Sequence, residues 1–133
     1  AAPGDASAMK LIRSVFTKGL AAILLESMEA ARRRNILDEV AGDLSDTLNE
    51  IPFEKIIHRY ICGTAVHCER RLHEMKDCLE LLQAMNSTDR MTRTTINMLR
   101  DMVKTGMPQK FPVEADSIHP VIDAMIATRT QTH

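Results

Sequence analysis

The stretch GDASAMKLIRSVFTKGLAAILL, residues 4–25, decides the fold class. Its apolar residues Met9, Ile12, Phe16, Leu20 and Ile23 recur at steps of three and four, the period of an α-helix, and the pattern runs from Ser7 through Met28 to Arg34. From Leu20 to Leu25 the helix is apolar on every side, so it must pass through a core or an interface. Lys10, Ser14 and Lys18 interrupt it at steps of four, which places them along one slowly drifting polar seam and reads as a groove. Lys10 also stands within the first turn or so, where the positive helix end disfavours an ammonium and attracts an anionic ligand. Arg13 and Lys18 nearby, together with burial, push the same way, so such an amine can trade protons near neutral pH. The plainer reading of the pattern is that both lysines snorkel, stems on apolar surface and heads in water.

The rest of the chain continues the helical theme. AAPGD at residues 1–5 reads as an incoming linker, with Asp5 or Ser7 able to cap the helix. Arg32, Arg33 and Arg34 complement the negative helix end, and Asn35 tolerates the left-handed stop. A short helix is expected over residues 38–48. Pro52 then suits the first position of a long helix to about Met85, with Ile57, Ile61, Cys68, Leu72, Met75, Leu79 and Leu82 facing the core and a kink at Gly63. NSTD at 86–89 is a turn leading into a capped helix to about Lys104, with Met91, Thr95, Met98 and Met102 in line. GMPQKFP at 106–112 reads as a loop and residues 120–128 as a short closing helix. The expectation is one all-α domain of about five helices over residues 1–133, without internal repeats.

Composition narrows the partners. With 17 Lys and Arg against 18 Asp and Glu, the net charge of −1 gives no basic field for nucleic acid, and 3% aromatic residues give no stacking platforms. The apolar run from Gly19 to Leu25 is far shorter than the ~18 residues of a membrane span, and no signal peptide is visible. The 3 cysteines, Cys62, Cys68 and Cys78, form no CxxC pair, which argues against a disulfide framework or a zinc ribbon and for a soluble, cytoplasmic protein. Cys68 and Cys78, on or near the core stripe, read as small hydrophobes. His58, Cys62, Glu69 and His73 share a narrow sector of the long helix, but it spans about four turns, so one ion could reach only two of them and no metal site is expected.

GDASAMK, FTKG and ESMEAARRRNILD, covering residues 4–38, resemble the opening of the C-terminal helical domain of the β-hydroxyacid dehydrogenase and 6-phosphogluconate dehydrogenase superfamily, closest to its phosphogluconate dehydrogenase-like subgroup with an uncharacterised C-terminal domain. Gly4, Ala6, Lys10 and Glu26 occupy the places of that superfamily's motif, while Ser14 stands where it has Asn, a shorter hydroxyl replacing an amide. HCERRLHEMKD, residues 67–77, is similar in looser register to a second landmark, a Lys-Asp pair that faces cofactor and substrate, which would be Lys76 and Asp77.

The resemblance implies Lys10 as the general base that relays the substrate's hydroxyl proton. It implies Ser14, Lys18, Lys76 and Arg71 as substrate contacts, and Lys76 and Asp77 as contacts to NAD or NADP. It also implies a Rossmann domain of the same parent chain, with residues 1–5 as the link, a small hydroxyacid or a phosphorylated sugar acid as substrate, and a homodimer. A phosphate would favour an arginine fork from Arg70, Arg71 or Arg93. The 5 glycines, at positions 4, 19, 42, 63 and 106, make no GxGxxG, so the dinucleotide fold is not expected in this chain and neither is turnover by it alone. The competing class is a non-enzymatic helical interaction module, because all-round-apolar helices suit dimer interfaces as well.

Overall fold

The computed structural model describes residues 4–132, and within them every regular element is a helix. In chain order these are α1 (Asp5–Arg33), α2 (Leu37–Asn49), α3 (Phe53–Ala84), α4 (Arg90–Lys104), α5 (Met107–Lys110) and α6 (His119–Thr132). The extra helix relative to the expected five is α5, a single turn inside the stretch read as a loop. Gly106, at φ 76, ends α4 and starts it, and Met107 is 1% exposed beneath it. Of the expected linker, residues 1–3 lie outside the described residues, and Asp5 already belongs to α1.

Asparagines set two of the helix ends. Asn35 and Asn86 both take φ 58. After α1, Ile36 N–H bonds the Ala31 carbonyl and Asn35 N–H that of Arg32; after α3, Ser87 N–H bonds Leu82 and Asn86 N–H bonds Gln83. Both are Schellman stops, which satisfy carbonyls that a helix end leaves without partners. Arg33, from the basic run expected to cap α1, bonds the Met85 carbonyl and so satisfies an end of α3 instead.

The starts depart from expectation. α1 begins after Gly4 at φ 91, so the cap position is held by neither Asp5 nor Ser7. Pro52 is the cap residue of α3 rather than its first helical one, extended at ψ 145. The bend in α3 falls at His67 (φ −108, ψ 16) and not at Gly63. Gly63 serves a close approach instead: a Cβ there would stand 3.2 Å from Arg71 Nη2 and from Glu114 Oε1.

The core gathers Cys62, Ala65, Cys68 and Leu72 of α3, Ile96 and Leu99 of α4, Met107 of α5 and Val121 of α6. On α3 the expected stripe holds from Cys68 onward, whereas at its start Ile56 is buried and Ile57 is 38% exposed. On α4 the buried line is Thr92, Ile96 and Leu99, one residue on from the expected one, and Met98 is 55% exposed. α1 and α2 contribute nothing to this core. The apolar residues of α1's first half, Ile12 (68% exposed) and Phe16 (51%) among them, stay largely exposed, with Phe53 against Phe16. Among the described residues no helix is long and apolar enough to cross a membrane.

Candidate functional site

α1 carries two surfaces. At 100° per residue, Lys10, Arg13, Ser14 and Lys18 fall in one sector of residues 9–20, and Met9, Ile12, Val15, Phe16 and Leu20 fall opposite. All are exposed except Ser14, which is half-buried. The seam read from the sequence is therefore real as a line on the helix, but the groove expected around it is not formed by this chain. Neither of the two clefts described reaches Lys10, Ser14 or Lys18. One, of about 500 Å³, lies between α4 and α6 against Met98, Met102, Thr105 and Met125. The other, of about 300 Å³, lies at the α1–α2 turn beside Arg32, Asn35 and Asp38.

α1 is mounted on the body at two places. Phe16 meets Phe53 at the start of α3, ring centroids 5.7 Å apart and tilted by 60°. Farther along, two glutamates grip the entry to α4. Glu26 is 4% exposed and accepts from Met91 N–H at 3.0 Å, Thr92 N–H at 2.8 Å and the Thr92 hydroxyl at 2.8 Å. Met91 and Thr92 are the second and third residues of α4, whose N–H groups a helix leaves for a cap. Asp89, at the cap position, makes no such bond and pairs with Arg93 at 3.1 Å. The cap of α4 is thus supplied by α1. One turn on, Glu29 accepts from Thr88 N–H at 2.7 Å and from the Ser87 hydroxyl at 2.8 Å.

The remaining expected residues sit elsewhere. Arg71 is half-buried and turned back along its own helix, bonding the Thr64 hydroxyl across the bend, with its other end against Gly63. Lys76 and Asp77 are exposed near the far end of α3. Because Phe16 meets the beginning of that helix, on the order of 30 Å of helix separates them from the Lys10 end. The chain keeps Lys10, Ser14 and Lys18 together but does not gather Lys76, Asp77 and Arg71 with them.

Cys62 is buried, with Sγ 3.8 Å from His58 Nδ1 and 3.5 Å from the Ser117 carbonyl, and Cys68 is buried beside it in the core. Burial raises both thiols above the ordinary range, with the Glu114 charge adding to the rise at Cys62. Neither is suited to attack as a thiolate. Cys78, placed near the core stripe by sequence, is exposed. Among the described residues no group of three His, Cys, Asp or Glu side chains is arranged to hold a metal ion. They include no strand either, so the strand–loop–helix cradle that holds a dinucleotide's phosphates is not built here.

Comparison with known families matches residues 31–102, more than half of the chain, to the family described as "Domain of unknown function (DUF1932)". The chain belongs to the DUF1932 family. Arg71, Lys76 and Asp77 lie inside the matched span; Lys10, Ser14, Lys18 and Glu26 precede it. The chain is also similar to an uncharacterised 28.5 kDa protein encoded in the 7S RNA 5′ region of Methanothermus fervidus, 32% identical over 97 residues. That alignment takes in 73% of this chain and 38% of the relative, so the DUF1932 chain spans well under half of the protein it matches. No solved structure matches.

Proposed function

We propose that this DUF1932 domain is the substrate-side helical part of an NAD(P)-dependent dehydrogenase of the β-hydroxyacid or 6-phosphogluconate type. One observation carries the reading: α1 presents a basic seam and an opposite apolar stripe, both largely uncovered, on a helix whose first half its own chain holds through the Phe16–Phe53 contact. A helix of this kind is completed by a second body. A Rossmann domain of the parent chain, holding NAD or NADP, would supply that body and turn the seam into a cleft.

A nicotinamide held there by the dinucleotide-binding domain would supply the acceptor for the hydride of the substrate's carbinol carbon. Lys10 is placed to take the hydroxyl proton as general base. Ser14 and Lys18, one and two turns along, hold the carboxylate or hydroxyls of a small hydroxyacid or phosphorylated sugar acid. Lys76 and Asp77, on the order of 30 Å of helix from the Lys10 end, would meet the dinucleotide only away from its nicotinamide. Arg71, already engaged by Thr64, is the weakest of the substrate contacts. The apolar stripe supports a homodimer, and three unpaired thiols suit the cytoplasm.

The test is kinetic. The 133-residue chain alone shows no NAD(P)-linked oxidation of hydroxyacids; joined to its dinucleotide-binding domain it does, and Lys10→Ala then lowers kcat by about 10²-fold or more. The exposed stripe also favours a second reading, a helical interaction module without catalysis. That reading wins if Lys10→Ala leaves turnover intact while the isolated domain self-associates tightly.

A further inference from the structure

We infer that Glu26 is a positioning residue: by gripping the start of α4 it sets where α1 carries the Lys10–Ser14–Lys18 seam. The inference rests on the reading of Lys10 above for its purpose, but not for its geometry.

The first half of α1 has little to hold it. Every residue from Gly4 to Lys18 is exposed except Ser14, and the one ring contact there is Phe16 on Phe53. The direction of the helix is therefore decided farther along, by Glu26 and Glu29. Of the two, Glu26 is the buried one, and its two oxygens divide three donors, all from α4 and two of them from a single residue. A carboxylate shared among fixed N–H groups resists sliding and rotation more than one bond does. An apolar face gives little such register, since the one apolar side chain that α1 buries is the small Ala31, and none reaches the cluster around Cys62 and Leu99.

Distance converts this grip into leverage. From Glu26 back to Lys10 is about 24 Å of helix at ~1.5 Å per residue, so a tilt of about 5° at the grip displaces Lys10 by about 2 Å. A reacting group misplaced by about 1 Å loses on the order of 10²-fold in rate. Glu26 touches no substrate in this arrangement; it acts through Lys10.

The experiment is a distance measurement in the 133-residue chain, with spin labels at Leu11→Cys on α1 and Asn97→Cys on α4 in a Cys78→Ser background. The parent sequence gives one narrow distribution. Glu26→Gln, at unchanged helicity, broadens it or moves its mean by more than about 2 Å, and Glu26→Asp, which keeps the carboxylate, returns a single narrow peak. If Glu26→Gln lowers the melting temperature and leaves the distribution unchanged, Glu26 is a cap for α4 and nothing more. Should Glu26→Gln fail to fold, Thr92→Val removes one donor from the other side of the grip, and an unchanged distribution there overturns the inference equally. In the chain joined to its dinucleotide domain, Glu26→Gln lowers kcat about tenfold or more with KM held. A broadened distribution with full kcat would sink the role of Lys10 and leave the positioning intact.

Discussion

At Glu29, the Thr88 amide and the Ser87 hydroxyl, with Arg33 nearby, hold the carboxyl below the ordinary glutamate range against a smaller opposing effect of burial. A folded-state value lowered in this way stabilises the fold fully above the unfolded value, about 4.3, and the contribution disappears as pH falls through the lower folded value. The melting-temperature gap between the parent sequence and Glu29→Gln should therefore be constant from neutral pH to about 5 and close below about 4.3. A gap that persists into strong acid would contradict this. The thiols give a second measurement. Cys62 and Cys68 are 0% exposed and pushed up by burial, so iodoacetamide should label Cys78 in the native chain and the other two only on unfolding, read by mass spectrometry. At this scale the sequence was legible where a residue acts on its own neighbours. Asn35 as a left-handed stop needed no partner. The role of Glu26 was invisible, because its donors lie 65 and 66 residues away, and no local pattern marks a cap borrowed across that span.

Among the elements, α4 shows why periodicity fixes a helix more firmly than its buried face. Met91, Thr95, Met98 and Met102 and the line one residue on share the same spacing, and the methionines made the first look apolar. Glu26 decides between them: it draws Thr92 inward as both amide and hydroxyl donor, and Ile96 and Leu99 follow. Thr92→Val, which leaves a buried acceptor short of one donor, should cost about 1–2 kcal/mol in urea unfolding. Leu99→Ala in the core should cost about 2–5 kcal/mol. Leu11→Ala on the uncovered stretch of α1 should stay within about 0.5 kcal/mol. Equal losses at positions 11 and 99 would mean that α1 is packed in solution in a way the single chain does not show. The bend of α3 was expected at its glycine, and glycine was the right residue for the wrong reason. Gly63 lets two charged tips approach, and the chain turns at His67 instead.

For the whole molecule, all-helical architecture followed from the apolar spacing, and the long opening helix was the element read most directly. What could not be read was that this helix buries only Ala31 among its apolar side chains and adds none to the main cluster. An apolar stripe has the same spacing whether it meets the remainder of its chain or another body, and only the arrangement of α3 to α6 around Cys62, Leu72, Leu99 and Val121 shows that the core closes without it. The same division separates the candidate site residues: Lys10, Ser14 and Lys18 ride on the outlying helix, and Lys76 and Asp77 belong to the body.

The grip between α1 and α4 also bears on the order of assembly. It joins residues 58 to 66 apart, while α3 and α4 pack across one short turn, so the loop-closure entropy of docking α1 falls due after the hairpin has formed. Substitutions at Glu26 should then accelerate unfolding and leave the refolding limb of a chevron almost unmoved, whereas Leu99→Ala should slow refolding.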